Sequence, residues 1–292
     1  MRADYHLHPN LLRKHPTRRL RKIWEAIAAS NLDAVICAEH AFKDAPLAYR
    51  RLCAARPETA TTHVFPGAEL VATAGSRGID VIAFGEEDWY DRHPRLLEPY
   101  GMPLAEMLAY LDASSDLRYF IPHPTLLGTP LLKLHPHPEE MRAFLARVPA
   151  FEAFNGSPLL LEHLCMLPGI RLPFGRFGRA CRRGARLPLE LFGRDTHRFF
   201  AVGSDAHHPS EIGFGVEIPG GPARGRADTF RRLVTNRDIT TLYFPRFNAL
   251  IPRLLMTAAT TLREALTRTF LPLPSSASVQ HEHVQARRVL AE

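Results

Sequence analysis

The stretch DYHLHPN sets His6 and His8 two places apart, and a third histidine, His15, follows a short loop later. On an extended strand, positions i and i+2 share a face, so the two rings can be presented to the same ion. The stretch GSDAH puts Asp205 and His207 in the same relation. Two such pairs on separate strand ends can close a metal site between them. Glu69 follows the turn-like FPGA, an approach that holds a carboxylate rigidly at a strand end. A carboxylate so held can bridge two divalent ions about 3.5–4 Å apart. His40 and His123 each close a β-rich segment, and His123 lies between Pro122 and Pro124, which stiffens the backbone around it.

These side chains need elements to position them. Short apolar, β-branched segments recur as ADYHLH, DAVICAEH, THVFPGAEL, IDVIAFG, RYFIPHP, AFEAFNG and RFFAVGSDAH. Amphipathic helical patterns lie between many of them, including TRRLRKIWEAIAAS, APLAYRRLCAARPE, LAEMLAYLDAS, PEEMRAFLARV and SPLLLEHLCML. That rhythm predicts parallel strands with right-handed crossovers, in a doubly wound sheet or a barrel. The residues of interest fall at the C-terminal ends of their strands, which favours a closed or distorted barrel over an open sheet. After about residue 210 the chain turns Gly- and Pro-rich. A helix pattern ADTFRRLVTNRD and an edge-strand candidate ITTLYF follow. The expected organisation is a barrel over residues 1–245 and an amphipathic C-terminal helix with a tail over 246–292.

Composition narrows the class. A chain of 292 residues with 46% hydrophobic content suits a folded domain and excludes a disordered one. No apolar run is long enough to span a bilayer, and MRADYHLHPN lacks the apolar stretch of a signal peptide. A cytoplasmic protein without membrane contact is expected. Cys37, Cys53, Cys165 and Cys181 form no C-x-x-C pair, which argues against a disulfide framework or a cysteine zinc knuckle. The net charge of +7 is concentrated in LLRKHPTRRLRK and RLPFGRFGRACRRGAR. Clusters of this kind suit a negatively charged ligand, a phosphate monoester as readily as nucleic acid. Arginine is the side chain for bidentate phosphate binding, which makes the arginines of segment 171–186 the candidates: Arg171, Arg176, Arg179, Arg182, Arg183 and Arg186.

Taken in order and approximate spacing, DYHLHPN, AEH, PGAE, PHP, FEAFNG and GSDAH resemble the polymerase and histidinol phosphatase (PHP) family of metal-dependent phosphoesterases, over roughly residues 3–245. The resemblance implies a distorted TIM-like (β/α)7 barrel holding two or three divalent ions, usually manganese, zinc or iron. The matching ligands are His6, His8, His15, His40, Glu69, His123, Asp205 and His207, with Asp205 and His207 also placed for catalysis. Where the family usually has threonine, aspartate and histidine, this chain has Ala38, Glu39 and His40. Where many members have a histidine near the fourth strand it has none, leaving Asp80 or His93 as substitutes. Glu152 stands where many members carry a glutamate or cysteine ligand, and Asp4 reads as support for a neighbouring ligand. A second H-x-H, His135 and His137, lies in a Pro-rich stretch and is read as solvated.

The chemistry expected of such a ligand set is hydrolysis of a phosphate ester, a phosphomonoester or a small phosphodiester, by metal-activated water. A nuclease acting on DNA or RNA ends is one alternative, although no aromatic-rich nucleic-acid module accompanies the site. A non-catalytic, metal-stabilised interaction module is another. The partner expected first is a small phosphorylated substrate.

Overall fold

The structure, a computed structural model, describes residues 1–11, 16–124, 131, 134–135, 137–156, 199–221, 223–239 and 242–243. His15, the arginines of segment 171–186 and the C-terminal helix lie outside these residues.

Among the described residues nine strands are formed: β1 (Arg2–Leu7), β2 (Ala34–His40), β3 (His63–Ala74), β4 (Arg77–Gly85), β5 (Leu117–Phe120), β6 (Ala150–Asn155), β7 (Phe199–Gly203), β8 (Gly215–Glu217) and β9 (Leu242–Tyr243). Five α-helices accompany them among the described residues: α1 (Pro16–Ala29), α2 (Ala45–Ala54), α3 (Leu104–Ala113), α4 (Pro138–Leu145) and α5 (Arg226–Thr235). One sheet has the order β5-β4-β3-β2-β1-β8-β9, and β6 and β7 form a separate parallel pair.

All seven segments read as strands do form strands, yet they do not make a (β/α)7 barrel with alternating strands and helices. The parallel neighbour pairs in the large sheet are β1–β2 and β2–β3. β4 is antiparallel to β3, β5 to β4, and β8 to β1. The reversal after β3 is a tight hairpin: Ala74 pairs with Arg77 around Gly75 and Ser76, and Gly75 takes φ +60°. Both strands of that hairpin are buried on two faces along most of their length. They therefore carry near-continuous apolar runs, the pattern ordinarily left by parallel strands.

The large sheet curls into a half-barrel. Tyr5 of β1 and Phe120 of β5, separated by three strands in the sheet order, meet edge to face with ring centroids 6.4 Å apart. Phe84 of β4 and Phe199 of β7 join them, at 5.9 Å from each other. Each fully buried aromatic contributes about 1.5–3 kcal/mol through area removed from water. The β6–β7 pair sits across the open side of the curl, linked by the single bridges Ile121↔Phe151 and Leu7↔Ala206.

Helix α1 shows why one side of the sheet is covered. Its buried positions Arg19, Leu20, Ile23, Trp24 and Ile27 recur at helical spacing and pack with Val35, Cys37, Leu52, Val64 and Ile212. Helix α2 starts at Asp44, whose carboxylate accepts the Leu47 N–H at 3.1 Å as an N-cap.

Candidate metal centre

The candidate residues meet where β1, β2, β3 and β4 face the β6–β7 pair. His6 and His8 lie on β1 and just after it, both almost wholly buried. The β1–β7 seam carries Asp205 and His207 to them: the Asp205 N–H donates to His6 O at 2.8 Å, and the His8 N–H donates to Ala206 O at 3.0 Å. On β2 and β3, His40 and Glu69 are direct partners in the parallel register, and His40 Nδ1 lies 2.7 Å from Glu69 Oε2. Glu69 is mid-strand rather than at a strand end, because β3 continues to Ala74. Asp80 on β4 pairs with Val71, which sets it diagonally from Glu69 on the same face.

Potential ligand atoms in the cluster lie close to one another. His6 Nε2 and His8 Nε2 are 2.9 Å apart, and His8 Nε2 is 3.4 Å from Asp205 Oδ1 and 3.5 Å from Glu69 Oε2. Ligand atoms about 2.1 Å from one ion stand roughly 3.0–3.4 Å from each other. The potential ligand atoms of three sets each lie within 4.8 Å of one another: His8, His40 and His207; His6, His8 and Asp205; Glu69, Asp80 and His123. Buried His8 Nδ1 has no hydrogen-bond partner, with Glu39 Oε1 3.6 Å away. Five imidazoles and three carboxylates packed this closely fit divalent ions by number, type and spacing of donors.

Backbone strain marks the same place. His123 has φ +31° and Asp205 φ +50°, conformations that cost non-glycine residues of order 1–3 kcal/mol. The surroundings over-determine both. His123 N–H donates to Glu152 Oε2 at 2.8 Å, and Asn155 Nδ2 donates to Glu152 Oε2 at 2.9 Å and to Asp205 Oδ2 at 3.2 Å. Glu152 Oε1 meets His6 Nδ1 at 3.1 Å, so this carboxylate orients a ring from behind.

Electrostatics follow from packing opposite charges in a dry space. Burial disfavours the charged His6 imidazolium, but Asp205 and Glu152 outweigh it and hold its pKa well above the usual value. His123 is raised likewise, with Glu69 overcoming burial. His8 is lowered by burial and by the neighbouring His207 and His40. Burial raises the Glu69 and Asp205 carboxyls, yet His40 for the former and His6 for the latter dominate and hold both below the ordinary range. Glu39, opposed by burial but faced by His8, is held at about 2.

The remaining candidates divide. Glu39 lies behind His8 and also accepts the Asn10 and His40 N–H groups. Asp4 points away: its oxygens accept the His6 N–H at 3.0 Å, the Ser204 N–H at 2.9 Å and the Ser204 hydroxyl at 2.6 Å. Burial lifts its carboxyl to about 7 despite those donors. His93 is elsewhere, with Nδ1 2.8 Å from the Tyr110 hydroxyl and Nε2 3.2 Å from Asp116. His135 stacks on Phe144, and His137 is exposed at the start of α4.

Two contributors carried no sequence signal. Ser204 anchors Asp4 across the β1–β7 seam. Arg19 of α1, only 8% exposed, donates Nε to Pro9 O at 2.5 Å and Nη2 to His207 O at 2.6 Å, tying the two loops that bear His8 and His207.

Fold and cluster together define a half-barrel α/β protein with a buried, histidine-rich cluster whose donors could hold metal ions. No family model matches the sequence, and no curated protein matches it. The fold is similar to that in the crystal structure of PsfC from Pseudomonas syringae PB-5123, with a TM-score of 0.56 and 18% identity. That likeness covers 91% of this chain and 98% of the other, and it concerns the fold alone. Among the described residues no helix is long and apolar enough to cross a membrane.

Proposed function

We propose that the protein is a metal-dependent hydrolase of phosphate esters, of the polymerase and histidinol phosphatase kind, acting on a phosphomonoester or small phosphodiester. The observation that carries this reading is the convergence of His6, His8, His40, Glu69, His123, Asp205 and His207 on one buried point. Divalent manganese, zinc or iron held there would lower the pKa of a coordinated water and neutralise phosphoryl oxygens.

The chain's own residues divide the remaining work. His123, Asp205 and His207 keep 11–12% of their side chains exposed, whereas His6, His8, His40 and Glu69 are sealed at 1% or less. Substrate therefore approaches from the side of the first three. His207, hydrogen-bonded through Nδ1 to the Asp205 carbonyl at 3.0 Å, holds Nε2 3.4 Å from His40 Nε2, where both rings would serve one ion. Asp205, fixed by Asn155, presents a rigid carboxylate between His6 and His8.

The test is divalent-metal content after reconstitution, with turnover of p-nitrophenyl phosphate, in wild type and Asp205→Asn. Expected are about two or three bound ions in wild type and a loss of turnover of at least about a hundredfold in the variant. A wild-type protein that takes up no metal, or a variant with full turnover, overturns the reading. Short oligonucleotides run in parallel separate a phosphatase from a nuclease.

A further inference from the structure

Glu69 faces two different environments with its two oxygens. Oε2 is turned to imidazoles, 2.7 Å from His40 Nδ1 and 3.5 Å from His8 Nε2, whereas Oε1 is 3.3 Å from His123 Nε2. The donors behind the two oxygens differ in chemistry. On the first side His8, His40 and His207 supply three nitrogens, with His40 Nε2 and His207 Nε2 3.4 Å apart, and Asp205 Oδ1 adds a single oxygen 3.4 Å from His8 Nε2. On the second, Glu69 and Asp80 supply two carboxylates to the single imidazole of His123. Imidazole suits zinc and its late neighbours, while carboxylate-rich sites suit manganese and other hard ions.

We propose that the cluster is heterometallic by construction: His8, His40 and His207 take a zinc-class ion, and Glu69, Asp80 and His123 take a manganese-class ion across the shared Glu69 carboxylate. This rests on the metal-dependent reading above and adds the identity and order of the ions. Asp80 is the residue that makes the difference. It lies mid-strand on β4, 6% exposed, diagonal to Glu69, and converts an otherwise histidine-rich neighbourhood into an oxygen-rich one.

Affinity alone does not separate the two ions, since zinc outbinds manganese at most sites, so the experiment limits zinc. Metal-stripped full-length protein is given one equivalent of zinc and excess manganese, desalted, and analysed for both metals. Anomalous diffraction at each absorption edge then locates them. Expected is about one zinc per chain at the histidine set, with manganese at the set containing Asp80. Asp80→His should exchange manganese for a second zinc when zinc is raised to two equivalents, and Asp80→Asn should lose manganese while keeping zinc. The proposal fails if the two metals are mixed at both positions or reversed, or if Asp80→His leaves the zinc-to-manganese ratio unchanged. Protein that binds no metal overturns this inference together with the function above, whereas metal bound without discrimination overturns this inference alone.

Discussion

At Gly203 the site leaves no room for a side chain. A Cβ there would overlap the His6 Cβ and stand 2.8 Å from Glu152 Oε1. Gly203→Ala is therefore expected to push His6 out of line with Glu152 at a cost of about 1–3 kcal/mol, as overpacking does. Thermal unfolding and metal content should both fall; a variant with wild-type values in both would show that β7 and His6 have slack between them. The same tightness explains why individual side chains were so unequal as sequence signals. His6 and His8 announce themselves because a spacing of two is itself geometry on an extended chain, whereas Asp205 and His207 lie beyond β7, with Asp205 at φ +50°, and converge through the seam with β1. Asp4 and Glu39 have equally apt chemistry, yet their carboxylates are consumed by backbone N–H groups, a fate set by a bulge and a neighbouring strand. His93 shares only the residue type, and its partners Tyr110 and Asp116 put it in a separate polar cluster.

Elements bring these side chains together, and here the sequence was legible in kind more than in arrangement. Strands β1 to β7 could be found from their β-branched, apolar composition and β9 as an edge candidate, but β8 falls in the stretch read as a Gly- and Pro-rich connection. The direction of β4 could not, because a strand buried on both faces loses the alternation that would betray an antiparallel partner. The Gly75–Ser76 turn was the available clue, outweighed by the helical rhythm elsewhere. Arg19 shows the other limit: its acceptor His207 is 188 positions away, and no local pattern distinguishes it from the solvated arginines beside it. Its role can be tested. Arg19→Met keeps much of the aliphatic stem but removes the donors from the Pro9 and His207 carbonyls. Losing buried charge-assisted hydrogen bonds costs about 1–3 kcal/mol, so metal affinity should drop roughly tenfold or more in chelator competition while helical content stays constant. Unaltered affinity would mean that α1 merely covers the sheet.

For the whole molecule, pH and metal should pull stability in opposite directions. Without metal, the raised pKa values of His6 and His123 give stabilisation that is complete below the ordinary value of 6.5 and lost as pH rises through their folded values. The depressed carboxyls of Glu39 and Glu69 act in reverse, stabilising above the ordinary 4.5 and failing in acid. Metal-free protein should therefore melt at a lower temperature at pH 8.5 than at pH 6. Metal-loaded protein should do the opposite, because ions bind neutral imidazoles and every proton removed favours them. Ions at a hundred times their Kd add about 2.7 kcal/mol, ample for the two melting curves to be told apart. Parallel pH dependence with and without metal would refute the assignment of these histidines as ligands.

The seam between β1 and β7 also has a consequence in time. Five of the seven converging residues, His6 through His123, are made in the first 123 positions, while Asp205 and His207 come more than eighty residues later. Strands β1 to β5 can pair as they leave the ribosome, yet the wall that closes the cluster does not exist until residue 207 has emerged. A nascent chain thus carries an open nest of imidazoles through much of its synthesis. The arrival of β7 and the turn after it converts that nest from a loose chelator into a shaped one.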